Sequence, residues 1–207
     1  MIKKNWDIIV VGGGIAGLTT TVLLSKLGLE VLCVEPQEPA SNADEKSADL
    51  RSTAYLLKSV DLLKEIGVWN EIKDHAEMLK IMQIRDSGKS VYDSTHQSFF
   101  DSSEIELPYF GYNIPNWHLK KSILSIIKSS RTSQIVFGIK ASGLINQLDH
   151  ASIKLSDNTT VSAKLIIAAD GRQSNIRFLS KIGVKKWDDG QDALAFTVTH
   201  EKPHSNT

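Results

Sequence analysis

Asp7-Ile8-Ile9-Val10-Val11 runs directly into Gly12-Gly13-Gly14-Ile15-Ala16-Gly17, and no other segment restricts the fold of this chain as tightly. A short run that is apolar at every position, rather than alternating, predicts a strand buried on both faces. Leu18 through Leu27 follows with Leu18, Val22, Leu23 and Leu27 on one side of a helix, and Gly28 is placed to end it. Val31-Leu32-Cys33-Val34 then reads as a second buried strand closing on Glu35. Strand, glycine turn, helix, strand and acid in this order form the signature of a dinucleotide-binding βαβ unit. Gly12 permits the tight turn, Gly14 lets the backbone approach a pyrophosphate, and Gly17 lets helix and strand pack closely. The helix N-terminus offers N–H groups and a positive dipole end to phosphates, while Glu35 is spaced to accept hydrogen bonds from a ribose diol. The bland alternative is a glycine-rich turn in an unrelated α/β protein.

Composition narrows the remaining classes. The 207 residues carry 24 basic and 24 acidic side chains, so the formal net charge is zero. Without a Lys/Arg run there is no electrostatic footprint for nucleic acid, and the interspersed charges do not make a polybasic membrane anchor. One cysteine, Cys33, excludes an internal disulfide framework and a multi-cysteine zinc site, and the six histidines lack metal-ligand spacing. No apolar run approaches the ~20 residues needed to span a bilayer. Lys3-Lys4 before an apolar stretch imitates a secretory signal, but Trp6-Asp7 and the glycines interrupt it, so the expected location is cytoplasmic. The length suits one domain, or one domain with part of another.

Residues 36–50 are polar and carry Pro36, Pro39, Asn42, Asp44 and Glu45, which predicts a loop. Arg51 follows, ahead of a predicted helix with Leu56, Val60, Leu63 and Gly67 on one face and Ser52 or Thr53 as its cap. From Lys80 the pattern becomes extended. Ile81 through Arg85 alternates, Asp86 through Lys89 suggests a turn, and Ser90 through Asp93 a returning strand, with Phe99-Phe100 and Ile105-Glu106-Leu107 as further strand. Asn116 predicts an N-cap for a helix to about Ser129, with Leu119, Ile123, Ile126 and Ile127 as its stripe. Gln134–Ile139, Ser152–Leu155 and Val161–Ala163 read as a small antiparallel arrangement. Leu165-Ile166-Ile167-Ala168-Ala169 is a further buried strand running into Asp170-Gly171.

The segment from Leu165 through Asp170-Gly171-Arg172-Gln173-Ser174-Asn175-Ile176-Arg177 resembles the middle motif of the flavoprotein aromatic hydroxylases of the para-hydroxybenzoate hydroxylase type. That motif is an apolar strand, Ala-Asp-Gly, a serine and an arginine, matched here at Asp170, Gly171, Ser174 and Arg177. Arg51 in Asp49-Leu50-Arg51-Ser52-Thr53-Ala54 and the segment Gly111 through Leu119 are similar to the ubiquinone-biosynthesis hydroxylase branch, as is Gln191 through His204. The resemblance implies an α/β fold: a Rossmann-like FAD-binding domain with a parallel sheet over 1–79 and 112–183. Residues 80–111 and 184–207 would be part of an inserted antiparallel substrate-domain sheet. The family's third motif, Gly-Asp-Ala-Ala-His, lies beyond residue 207, so the chain is expected to be an N-terminal fragment.

By this resemblance the cofactor is FAD, with NAD(P)H as reductant and O2 as co-substrate. The expected activity is hydroxylation of a polyprenylated phenol in ubiquinone biosynthesis. Gly12, Gly14, Gly17 and Glu35 would bind the ADP half of FAD. Arg51 would contact the pyrophosphate or the flavin side, and Asp170 with Gly171 the cofactor or the NAD(P)H approach, while Arg177 would fix the loop after Asp170. No side chain is expected as a catalytic nucleophile or base, because the cofactor carries the chemistry. Partners would be the oily phenol and, peripherally, the inner membrane, a ubiquinone-biosynthesis complex or further copies of the chain. Two other readings stay open: another oxidoreductase of the flavin superfamily (a reductase or halogenase), and a non-catalytic remnant or one half of a split enzyme. Trp6, Trp69, Trp117 and Trp187 are expected to be packing residues, His118 a surface or capping residue, and Cys33 an inert core thiol. Tyr112 could line a pocket or support a sheet. An exposed apolar face is expected where further chain would pack.

Overall fold

The computed structural model describes residues 2–40, 42–86, 96–194 and 201. Two compact units emerge, one from Met1–Asp49 with Leu119–Leu194 and the other built on Leu50–His118.

In the first unit the apolar run forms β1 (Asn5–Val11), followed by α1 (Ile15–Lys26) and β2 (Val31–Glu35). In the second unit β3 (Ser52–Leu56), α2 (Leu57–Ile66), α3 (Trp69–Ile72) and β4 (Glu77–Leu79) precede the hairpin β5 (Ile81–Asp86) and β6 (His96–Asp101). After β7 (Gly111–Pro115) comes α4 (Asn116–Ser129). The chain then returns to the first unit with β8 (Ser133–Phe137), β9 (Ala141–Asn146), β10 (Ala151–Leu155), β11 (Thr160–Ala168) and α5 (Asn175–Leu179).

The first unit is a six-stranded sheet in the order β8-β2-β1-β11-β10-β9. Its first four strands are mutually parallel, and β10 and β9 continue it as an antiparallel meander. One face buries Ile9, Val11, Leu32, Val34, Ile153 and Val161, and the other buries Ile8, Val10 and Val31 with Leu24 and Leu29 packed against them. β1 and β2 are thus apolar on both faces because both faces are covered, as the unbroken apolar runs predict. The parallel register aligns Val11 with Val34 and with Ala168, so the carboxyl ends of β2, β1 and β11 fall at one edge.

In the second unit β3-β7-β4 form an antiparallel sheet against which α2 lies, burying Val60, Leu63 and Ile66. β5 and β6 form a separate two-stranded ribbon. Met82, Ile84 and Phe100 share one face of that ribbon and are exposed, and Phe178, Ile182, Val184, Trp187 and Leu194 are exposed beyond β11.

Several expectations need correction. Ser52 and Thr53 do not cap α2; they lie in β3, and the cap position is Leu56, which makes no side-chain cap bond. Five exposed or half-exposed residues become a strand only because β7 supplies the partner amides. Gly67 is not on the α2 face but ends the helix. Gln134–Ile139 was expected in an antiparallel arrangement, whereas β8 pairs parallel to β2 at the sheet edge. Val161–Ala163 and Leu165–Ala168 are one continuous strand, β11, rather than two, and the second stretch is not the buried strand expected, since Leu165 is exposed and Ile166 and Ile167 are half-buried. Ile105-Glu106-Leu107 is not a strand: a 3-10 turn over Ser102–Ile105 is closed by an Asp101–Glu104 capping box, and Glu106 adopts a left-handed backbone. Leu27 and Trp187 are exposed instead of packed. The turn at residues 87–89, the strand at residues 90–93 and the strand from 195 onward lie outside the described residues.

Candidate dinucleotide site

The carboxyl edge of the parallel strands gathers the glycine turn, Glu35 and the loop starting at Asp170. Gly12 N–H donates to Val34 O at 2.9 Å, and Ala169 N–H donates to Val11 O at 2.7 Å, so the three strand ends are tied to one another. Gly12 has φ 111°, and a Cβ there would lie 2.3 Å from Ala169 O, which closes the position to any other residue. A Cβ on Gly17 would lie 1.9 Å from Gly12 O and 3.2 Å from Ala169 Cβ, so the close approach of α1 to the turn is the reason for this glycine.

Gly14 differs. It is exposed, holds an ordinary extended backbone as the N-cap of α1, and a Cβ there would meet nothing within 4 Å. The space over Gly14 faces the N-terminus of a 12-residue helix whose first turn contains no acid. The positive dipole end and the N–H groups without intrahelical partners favour an anion there.

Glu35 terminates β2 and turns back over the glycines. Its Oε2 accepts from Gly13 N–H at 2.5 Å and its Oε1 from Gln37 N–H at 2.9 Å. Each carboxylate oxygen has a further lone pair, so the carboxylate can be held in place and still accept from a ribose diol. Gly13 was not singled out from the sequence. Its N–H bond to Glu35 depends on the crossover between β1 and β2, for which the sequence carries no local signal.

Asp170 has both oxygens engaged within its own loop. Oδ1 accepts from Ser174 Oγ at 2.5 Å and Oδ2 from Ile176 N–H at 3.0 Å. Ser174 is the N-cap of α5, accepting from Arg177 N–H at 3.0 Å, and the Arg177 guanidinium donates to Arg172 O at 3.3 Å. Asn175 ties the same loop to β9 through Ala141 O at 2.8 Å. The geometry therefore makes Asp170 the clamp of the Gly171–Gln173 loop, with Arg177 bracing it as expected. Gly171 has φ 81° and open space beside it.

Arg51 belongs to the second unit. It directly precedes β3 rather than a helix, and its carbonyl accepts from Asn116 N–H at 2.9 Å. Close by, Thr53 Oγ1 donates to Asn116 Oδ1 at 2.7 Å. Tyr112 sits within β7, edge-on to Trp69 at 4.9 Å and Tyr109 at 5.1 Å, and burial raises its phenol pKa above the usual value. His118 stacks on His75 with ring centroids 3.9 Å apart. Cys33 is fully buried, and burial pushes its thiol up to about 12. Among the described residues no group of three or more His, Cys, Asp or Glu side chains is placed to hold a metal ion. No helix among them is long and apolar enough to cross a membrane.

Comparison with known proteins agrees with this geometry. The family model described as FAD binding domain matches residues 5–206. The ubiquinone hydroxylase UbiL of Rhodospirillum rubrum is 29% identical over 201 residues, covering 97% of this chain and 45% of that protein. The 3-demethoxyubiquinol 3-hydroxylase of Escherichia coli is 28% identical over 201 residues, covering 97% of this chain and 50% of that protein. The chain thus spans about half the length of the curated relatives it matches. Among solved structures, p-nitrophenol 4-monooxygenase PnpA from Pseudomonas putida superposes with a TM-score of 0.68 at 19% identity, over 84% of this chain and 43% of that one. The flavin-dependent monooxygenase PieE, solved with FAD and substrate, gives 0.71 at 17% identity, over 89% of this chain and 33% of that one. At those identities the two structures speak for the fold.

Proposed function

From the premise that this chain belongs to the FAD binding domain family, we propose that it is the dinucleotide-holding part of an FAD-dependent aromatic hydroxylase. The proposed substrate is a polyprenylated phenol of ubiquinone biosynthesis. The observation that carries the reading is the pairing of an open Gly14 at the α1 N-terminus with a Glu35 carboxylate already fixed over the turn.

The overall reaction inserts one atom of O2 into a ring C–H bond, while NAD(P)H supplies two electrons and, with one proton, the second oxygen leaves as water. Bound flavin supplies the electron relay and the oxygen activation. This chain's residues bind and orient. Gly12 and Gly17 shape the turn, Gly14 admits the pyrophosphate, and Glu35 accepts from the adenosine ribose. Asp170 and Gly171 hold the loop at the same edge of the sheet, and Arg51 adds a cation on the pyrophosphate or flavin side. On this reading residues 1–79 and 112–183 form the FAD-binding domain, and 80–111 with 184–207 begin the substrate sheet. The oily substrate brings the protein peripherally to the membrane surface.

The test is a visible absorption spectrum of the purified chain after incubation with FAD and desalting. Flavin bands retained near stoichiometry are expected, and a colourless protein refutes a complete cofactor site in this chain. NAD(P)H-driven oxygen uptake by a protein of the relatives' full length, stimulated by a polyprenyl phenol, separates the hydroxylase from a reductase or halogenase.

A further inference from the structure

Two side chains beneath the glycine turn have no part in the reading so far. Thr21 is fully buried in α1, and its Oγ1 donates to Gly17 O at 2.8 Å. Cys33, on β2, directs its Sγ to Gly12 O at 3.8 Å. Gly12 and Gly17 are the two glycines whose mutual approach sets the turn, since a Cβ on Gly17 would sit 1.9 Å from Gly12 O.

A mid-helix threonine bonded to the carbonyl four residues back is slightly unfavourable for the helix, and burying polar groups costs free energy unless they are paired. An aliphatic residue would pack in the same space without either cost, yet it would leave the turn carbonyls to backbone contacts alone. We infer that Thr21, assisted by Cys33, is a positioning residue that fixes the Gly12–Gly17 turn from its buried side in the shape the dinucleotide requires. Thr21 touches no ligand in this role. It acts through the Gly17 carbonyl, while Cys33 restrains the Gly12 carbonyl. The ligand part of the inference rests on the FAD reading, whereas the turn part does not.

The experiment compares Thr21→Val, which keeps the shape and removes the hydroxyl, with Thr21→Ser, which keeps the hydroxyl. Amide hydrogen exchange is measured on the flavin-free 207-residue chain. In Thr21→Val the Gly12 and Leu18 amides, bonded to Val34 O and Gly14 O, are expected to exchange about fivefold faster relative to the amides of β10. Thr21→Ser is expected to match the parent chain. Uniform acceleration across the unit, no acceleration, or equal behaviour of the two variants overturns the inference. FAD titration of the same proteins is expected to show a matching loss of affinity in Thr21→Val alone. A parent chain that takes up no FAD refutes a complete cofactor site in this chain, and the exchange comparison still decides the role of Thr21 in the turn.

Discussion

Gly17 and Gly14 are both motif glycines, but the structure assigns them opposite physical roles, and substituting each by alanine separates the two. In Gly17→Ala the new Cβ meets Gly12 O at 1.9 Å and Ala169 Cβ at 3.2 Å, and the obstructing atom is backbone tied into the sheet edge. Relief requires α1 to move off the turn by more than an ångström. Overpacking of this kind costs about 1–3 kcal/mol, and a backbone obstacle places it near the top of that range. Alanine in place of a helical glycine returns about 1 kcal/mol of propensity, leaving a net loss of about 2 kcal/mol. For a chain of this size that corresponds to a melting temperature roughly 4–8 °C lower. Gly14→Ala adds its methyl to open space at an extended backbone. Its weaker N-capping and its stiffer unfolded chain offset one another to within about 1 kcal/mol. Thermal unfolding of the flavin-free proteins should therefore show Gly17→Ala strongly destabilised and Gly14→Ala close to the parent, while FAD titration should show Gly14→Ala impaired. A Gly17→Ala protein melting at or above the parent, or a Gly14→Ala protein as unstable as Gly17→Ala, refutes this assignment.

Asp170→Ala removes the acceptor of Ser174 Oγ and Ile176 N–H and should cost about 2 kcal/mol in urea unfolding, with Asp170→Asn losing roughly half as much. Cys33 titrates at about 12 in the folded chain against a reference of 9.0, so the native state keeps a proton that the unfolded state releases. Stability should fall above about pH 9 by up to ~1.4 kcal/mol per pH unit, and Cys33→Ala should flatten that slope in urea titrations. The same burial predicts that a thiol reagent labels Cys33 only after denaturation. The Glu30 N–H and the Lys164 ammonium hold the Asp7 carboxyl below the reference of 3.8, so the stability it contributes is present above that value and lost as pH falls through the folded pKa. The difference in urea midpoint between the parent and Asp7→Asn should accordingly shrink from pH ~6 towards pH ~2.5, and a difference independent of pH would contradict the pairing.

The stretch from Asp7 to Glu35 was legible in the residues because the signals that mark its elements are local. Unbroken apolar runs need cover on both faces, the glycine spacing matches one turn geometry, and Gly28 marks the helix end. The loop after Asp170 was legible only as a resemblance to a family motif, and the clamp of its carboxylate by Ser174 and Ile176 emerged from the structure although both lie within six residues of it. Strand pairing was not legible. β3 reads as the start of a helix and becomes a strand through β7, about sixty residues on, while β8 reads as part of a meander and becomes the parallel edge through β2. Pairing energy comes from whichever strand lies alongside, and strand propensity expresses that context more than the residues themselves.

The sequence by itself therefore determined the βαβ unit, the identity of its motif glycines and the acid that closes it. Only the tertiary structure decided that Gly12 and Gly17 are fixed by contact with backbone while Gly14 faces open space. It alone showed that Glu35 is held by Gly13 and Gln37, that Thr21 bonds the Gly17 carbonyl, and that Cys33 faces the Gly12 carbonyl. These facts depend on distances between elements far apart along the chain. Such distances are set when a twisted parallel sheet brings the strand ends to one edge, and no short-range pattern of residues encodes them.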